Sequence, residues 1–459
     1  MHKVCRRELI SALAGGTGCA CLSGCFSILK RAPCRPDPSE RINVGIIGCG
    51  IMGWTNAEGF LADRRVQITV VCDPVVEGPG YGYAGKQRMG CGVLRDFVDR
   101  RTATRSCRLT TDWREVVDDP TVDAVVVTTP DHWHALIAVA AMRAGKHVFC
   151  QKPMTLGVSE GREMVRIARE TGVVFQVGSQ HRHDRSYRQA GELVAGGWLG
   201  KILSAEVGLP GSNGGKWGHG RDTAPRSYPD YFNADTWRMW LGPSRHWPDD
   251  AFIPAIHEPM CWRWNSRTGG GMITDWGSHW LDIVQRTLGT ERTGPVAVEN
   301  MRTNLSDDPY LNWADHYSFD IVYASGVRVR VSDSARNGIT WHCEKGDLFV
   351  NWSVQERPDF LKRWDEDRDL RPGDVRFYRA RDGHGHESDF IDGIYERRPI
   401  ATDCEIGHRS VSICHIANIC ERLRLDRLDW DPVAESFVGK NAVAANCLLD
   451  VPYLNGWSL

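Results

Sequence analysis

INVGIIGCGIMG, residues 42–53, decides the fold. Val44, Gly45, Ile46 and Ile47 form a short apolar run of the kind that makes a buried parallel strand. Gly48, Gly50 and Gly53 follow at G-x-G-x-x-G spacing. In a dinucleotide site the first allows a tight turn, the second lets the backbone approach a pyrophosphate, and the third brings helix against strand. The helix that follows, with Ile51 and Met52 in its first turn, offers N-terminal amides to phosphates. Because the chain contains 47 glycines, the spacing alone decides little. Its context does more. Residues 67–72 (QITVVC) read as a second strand, and Asp73 stands at its end, 20 residues after Gly53. A carboxylate there accepts a ribose 2′-hydroxyl and disfavours a 2′-phosphate, so NAD is expected over NADP.

Strands and helices alternate outward from this stretch. Strands are expected at 122–127 and 147–150, and helices at 111–117, 132–144 and 158–170, with a further strand at 173–177. The prediction is an α/β protein whose N-terminal domain, residues 41–155, is a doubly wound parallel sheet. A second α/β domain is assigned to residues 156–459. There a helix at 187–199 and a strand at 202–207 precede an irregular stretch, 209–265. A segment that long without regular structure is more often functional than incidental. A single helix is expected at 271–288. Strand-like runs at 296–301, 317–322, 327–331 and 348–350, divided by turns such as 324–326, suggest an open, mainly antiparallel sheet. Helices are expected again at 388–396, 410–423 and 434–449.

Composition sets limits. The net charge is -2, from 56 basic and 58 acidic residues, which argues against an electrostatic nucleic-acid binder. The N-terminus reads separately: Lys3, Arg6 and Arg7 precede a mostly small and apolar run at 9–26. Arg6-Arg7 resembles a twin-arginine export signal, and Leu22-Ser23-Gly24-Cys25 a lipobox that would lipidate Cys25. A periplasmic or membrane-anchored protein is therefore expected, with an unprocessed cytoplasmic chain as the alternative. Residues 26–40, with Pro33, Pro36 and Pro38, read as a linker, so 1–40 is set aside from the fold. Among the 16 cysteines there is no C-x-x-C pair and thus no zinc framework; Cys49, Cys72 and Cys150 read as buried small residues.

Two constellations carry chemistry. Gln151-Lys152-Pro153 directly follows a strand, and ligands of open α/β sheets bind beyond strand carboxyl ends. Lys152 there could hydrogen-bond a substrate hydroxyl and share its proton. In 269–282, Asp275 and His279 are four apart, which on one helix stacks them on one face, the carboxylate orienting the imidazole. Such a pair suits removal of a hydroxyl proton while hydride leaves the same carbon. A metal site would need further ligands nearby, so none is assigned. Nine of the 18 tryptophans lie between Trp198 and Trp280. Tryptophan faces stack on sugar rings, but core packing accounts for most, including Trp217, Trp237, Trp247, Trp262 and Trp264. Trp240, with Arg182, His183, His257 and Arg263, is a candidate substrate contact.

Taken with Thr129-Pro130-Asp131-His132-Trp133-His134 and 144–148 (AGKHV), these motifs resemble the Gfo/Idh/MocA oxidoreductases over residues 42–457. Residues 176–180 (QVGSQ), 240–243 (WLGP) and 430–432 (WDP) resemble one bacterial branch of it. The resemblance implies a Rossmann domain followed by an α/β domain with an open sheet, whose face commonly mediates homo-oligomer formation. It implies Lys152, Asp275 and His279 as the catalytic set. It implies a dinucleotide held by Gly48, Gly50, Ile51, Met52, Gly53, Asp73, Thr129, Pro130, His134, Lys152 and Gln180. A sugar, polyol or glycoside hydroxyl is the expected substrate. The alternatives are redox-assisted glycoside cleavage and a non-catalytic carbohydrate-binding protein. One departure stands out: the family commonly has glutamate where this chain has Gln151, which removes a negative charge beside Lys152.

Overall fold

The first sheet has six parallel strands in the order β3-β2-β1-β4-β5-β6. They are β1 (Ile42–Ile47), β2 (Val66–Cys72), β3 (Arg108–Thr110), β4 (Ala124–Val127), β5 (His147–Cys150) and β6 (Phe175–Val177). β4 is buried along its whole length, as an apolar run covered by helices on both faces should be. β1 pairs in parallel with β2 on one side and, through Val44–Ile47, with β4 on the other, so the strand order reverses between β1 and β4 and opens a crevice at their carboxyl ends. The structure, a computed structural model, describes residues 40–78, 88–211, 219–244, 251–257, 260–365, 369, 373–378 and 385–459. The Arg6-Arg7 signal, Cys25, most of the linker, Trp217 and Trp247 lie outside the described residues.

The first domain extends further than the expected boundary at residue 155. β6 pairs in parallel with β5, Val148 opposite Phe175, so the sheet closes only at Val177. The second sheet has nine strands in the order β13-β12-β11-β7-β10-β9-β8-β14-β15. These are β7 (Ile202–Gly208), β8 (Ala297–Thr303), β9 (Tyr317–Val322), β10 (Arg328–Ser332), β11 (Gly338–Cys343), β12 (Gly346–Val350), β13 (Gln355–Glu356), β14 (Leu428–Asp431) and β15 (Ser436–Val438). Only β7 and β10 run parallel; the other pairings are antiparallel. Burial alternates along β9, placing Phe319 and Ile321 in the core. Ser318 and Asp320 instead meet Arg330 at 3.0 and 2.9 Å on the other face. That is the period-two pattern of a sheet with one packed side.

Helix Cys404–Arg422 packs against both Val158–Thr171 and Gly277–Thr287, joining the layers of the two sheets. Two expected helices are corrected. The 271–288 helix is two segments, Gly271–Asp275 and Gly277–Thr287, meeting at Trp276. The 434–449 helix is β15 followed by a short helix, Ala442–Asn446. The described cysteines form no disulfide, and all but Cys447 are buried. Cys49, Cys72 and Cys150 serve as small core residues.

Candidate active site

The site begins where β1 ends. Gly48 has φ +97, a left-handed conformation, and a Cβ there would stand 2.6 Å from the Thr128 carbonyl. A Cβ on Gly53 would stand 2.0 Å from the Gly48 carbonyl oxygen. Both glycines are thus demanded by close approach of one backbone to another. Thr128 at the end of β4 tightens the loop, its hydroxyl donating to the Gly48 carbonyl at 2.6 Å. Gly50 precedes helix Ile51–Leu61, which has no capping side chain and no acidic residue in its first turn. Its first amides are left without helical partners and favour an anion.

Asp73 accepts from the Cys49 amide at 2.8 Å through Oδ2 and from the Val75 amide at 2.9 Å through Oδ1. It therefore braces the glycine loop as well as facing the crevice. These features fit an adenine dinucleotide: glycine clearance, open amides and an acid at the end of β2.

A cavity of ≈ 400 Å³ runs from this loop into the second domain. Its wall includes Gly48, Gly50, Ile51, Met52 and Asp73 at one end, and Lys152, Asp275 and His279 at the other. Thr129, Pro130, Gln151 and Gln180 line it between. Among the described residues, the buried oxygens Thr129 Oγ1, Gln151 Oε1 and Gln180 Oε1 have no hydrogen-bond partner. The stretch 209–265 is not irregular throughout: helices Ala234–Leu241 and Pro254–His257 and the 3-10 turn Cys261–Trp264 form in it, and it adds Met239, Trp240, His257, Met260, Trp262 and Arg263 to the wall. Its length thus serves the site. Trp240 is also stacked on Trp237, with rings 5.3 Å apart and 8° from parallel, so its position is fixed by packing. Burial pushes His257 down to about 4, which leaves a neutral imidazole at neutral pH.

Lys152 Nζ donates to Asp275 Oδ1 at 2.6 Å and to the Asp275 carbonyl at 2.8 Å. Arg263 Nε stands 3.0 Å from Asp275 Oδ2, its guanidinium over the Trp262 ring at 4.3 Å. Burial alone would raise the Asp275 carboxyl, but Arg263 and then Lys152 overcome it and hold it well below the ordinary range. His279 is shifted down: burial disfavours its charged form, and Lys152 adds to the effect. Its imidazole is therefore neutral at neutral pH. The expected Asp275–His279 pair does not form. The break at Trp276 separates them, and the carboxylate is taken by two cations.

Three further expectations are corrected. Arg182 is buried in a fork to Asp282, with both contacts at 2.7 Å, and reaches Glu291 at 2.7 Å. It is absent from the cavity wall and ties helix Gly277–Thr287 to the segment after β6. His183 turns to His386 at 3.0 Å and to Asp389 at 3.5 Å, also away from the cavity. His134 is a strut rather than a cofactor contact. Its nitrogens lie 2.8 Å from the Thr129 carbonyl and 2.7 Å from that of Pro153, joining the two loops that carry the site.

Sequence reasoning passed over Asp131 and His181, which both line the cavity. Asp131 is shifted well up by burial, against the pull of Arg263, and so favours its neutral acid form. His181 sits between Gln180 and Arg182, both of which the sequence offers as site candidates. Only its direction after β6 separates it from Arg182 and His183.

Two family descriptions match the chain. Residues 42–179 match the Gfo/Idh/MocA oxidoreductase family, NAD-binding Rossmann fold, and residues 186–459 match its C-terminal alpha/beta domain. Levoglucosan dehydrogenase of Pseudarthrobacter phenanthrenivorans is 29% identical over 165 residues, 36% of this chain and 40% of that relative. The chain therefore spans less than half the length of that protein. The scyllo-inositol 2-dehydrogenase (NADP(+)) IolW of Bacillus subtilis is 34% identical over 326 residues, 70% of this chain and 72% of the relative. A solved levoglucosan dehydrogenase, in complex with NADH and levoglucosan, shares the fold with a TM-score of 0.56 and 20% identity, covering 85% of this chain and 99% of that one. The glycine loop, the Lys152–Asp275 contact and the two matched domains lead to one conclusion: the chain belongs to the Gfo/Idh/MocA oxidoreductase family.

Proposed function

We propose that this protein oxidises a secondary hydroxyl of a sugar, polyol or glycoside, with NAD as the hydride acceptor. The reading is carried by one observation: Lys152, Asp275 and His279 line the same cavity as Gly48, Gly50 and Asp73. A bound nicotinamide dinucleotide would supply the acceptor for hydride. The chain supplies the rest. His279, neutral and buried, takes the hydroxyl proton. Lys152, fixed by both contacts to Asp275, presents its remaining N–H to the same oxygen and stabilises the developing alkoxide. Arg263 and Asp275 hold Lys152 in place, and Asp131 lines the same cavity. Trp240 and Trp262 supply flat apolar walls suited to sugar rings.

The inositol and levoglucosan dehydrogenases among the relatives support this substrate class. The Arg6-Arg7 segment supports export of a folded chain. Free NAD is scarce outside the cytoplasm, so the dinucleotide would be carried as a retained group. The test is mass analysis of the cofactor released from natively purified protein, with a panel of sugars and polyols scored for NADH. Steady NADH formation is expected, together with NAD that survives dialysis. Aglycone release from a glycoside without net NADH would replace this reading with redox-assisted cleavage. Absence of any dinucleotide would replace it with carbohydrate binding.

A further inference from the structure

A base that is also buried has to dispose of the proton it takes. His279 Nδ1 is enclosed without a hydrogen-bond partner. Burial, then Lys152, His181 and His386 disfavour a lasting imidazolium, and only Asp275 opposes them. Asp275 itself is engaged by Lys152 at 2.6 Å and Arg263 at 3.0 Å and is a poor proton acceptor. The outlet therefore lies on another side of the ring.

His181 stands there. Its ring meets that of His279 edge to face, with centroids 4.6 Å apart and planes at 71°. The two imidazoles are therefore in direct contact. His181 Nδ1 is 2.6 Å from Asp184 Oδ2. The His181 side chain is 16% exposed and that of Asp184 41%, so the series His279, His181, Asp184 leads from the interior to solvent. A carboxylate on Nδ1 fixes the tautomer: Nδ1–H donates to Asp184, and the Nε2 lone pair becomes the acceptor. A second observation supports the pairing. Asp184 is the N-cap residue of helix Arg185–Ala195, yet its side chain caps no amide. It forgoes the usual capping bond and turns to the histidine instead.

We propose that His181 and Asp184 form the proton outlet of this site. The proposal rests on the dehydrogenase reading above. In oxidation the substrate O–H and C–H bonds break and the C=O bond forms. The hydride reduces bound NAD to NADH. The proton passes from the hydroxyl to His279, from His279 to His181, and from His181 to bulk water beside Asp184. One proton is released for each NADH formed.

The test uses the full chain with NAD and the compound that yields NADH in the panel. His181→Gln and His181→Gly are expected to lower kcat about 100-fold and Asp184→Ala about 10-fold, in the range of a lost acid–base group. NAD affinity, followed by fluorescence, stays unchanged. The solvent deuterium isotope effect on kcat rises in all three variants, and added imidazole restores turnover to His181→Gly. Ring-nitrogen NMR of histidine-labelled protein reports an Nδ1–H tautomer at His181 that Asp184→Ala loses. Wild-type turnover in His181→Gln overturns the outlet and leaves the dehydrogenase reading standing. Loss of turnover with a lowered melting temperature, no imidazole rescue and an unchanged isotope effect assigns His181 to packing and also overturns it. If no compound yields NADH, the functional reading fails and the outlet falls with it.

Discussion

Lys152 Nζ reaches both Oδ1 and the main-chain carbonyl of Asp275, at 2.6 and 2.8 Å, across 123 positions of sequence. The first contact is an ion pair; the second fixes where along the helix end that pair sits. The lysine at the end of β5 is thus registered against a helix of the other domain, and the neutral His279 stands one turn further on. Geometry of this kind prepays the orientation that hydride transfer requires.

Lys152→Met should abolish NADH formation, a fall of at least 10²-fold in kcat, while the dinucleotide stays bound. Asp275 keeps Arg263 as a partner, so the protein should still fold, at a cost of about 3 kcal/mol. Steady-state kinetics beside cofactor titration separate the two effects. Near wild-type turnover would remove Lys152 from the chemistry.

Asp73→Ala should weaken NAD about tenfold more than NADP, the loss of one charge-assisted hydrogen bond to a ribose hydroxyl. The change also frees the Cys49 and Val75 amides, which should loosen the glycine loop for both cofactors alike. The ratio of the two affinities isolates the ribose contact. An unchanged ratio would leave Asp73 with a bracing role only.

Arg182→Ala should act on stability rather than on substrate affinity. It leaves Asp282 buried with its fork partner gone, which costs about 3–5 kcal/mol. Chemical denaturation checks the loss. A raised KM with an unchanged unfolding midpoint would return Arg182 to the substrate site.

Gln151→Glu tests the departure from the family pattern. Gln151 Nε2 donates to Asn56 Oδ1 at 2.8 Å, and Asn56 Nδ2 donates to Glu387 at 2.9 Å. A glutamate cannot donate, so the Asn56 amide must turn and its bond to Glu387 breaks. A loss of about 1–3 kcal/mol is expected from that unpaired buried group, read as a lower melting temperature. An unchanged melting temperature would mean that this relay of amides carries no stability.

Acidification should destabilise the fold well before its carboxylates titrate. Burial pushes His132, His134 and His257 down to about 4, and His386 and His415 to about 3. Below about pH 6.5 the unfolded chain binds protons at these positions and the folded chain does not. Stability therefore rises with pH between about 4 and 6.5 and is fully present above it. Asp275 acts in the same direction lower down: its depressed carboxyl adds stability that is lost as pH falls below about 4. The urea midpoint should fall steadily from pH 7 to pH 4.5. A flat midpoint over that interval would mean that the histidines are charged in the fold.

The amino-acid sequence by itself determined the local elements and the cofactor loop. β1, the glycine spacing and Asp73 are close in the chain, and their spacing alone marks the loop, although the clearance at Gly48 is set by Thr128 on β4. The alternation along β9 likewise reports a half-buried strand without further information. What lay beyond the sequence was every relationship between distant segments. β6 looked like part of the second domain because pairing with β5 leaves no local mark. Asp275 and His279 looked like a helical pair because four residues usually make one turn. Only the approach of Lys152 and Arg263 from other elements decided that the carboxylate would answer to them instead. Arg182 and His183 were the candidates on paper, and their neighbour His181 was passed over. The tertiary structure sends Arg182 into an ion pair with Asp282, His183 toward Asp389, and His181 into the cavity, because each side chain meets a different packed surface.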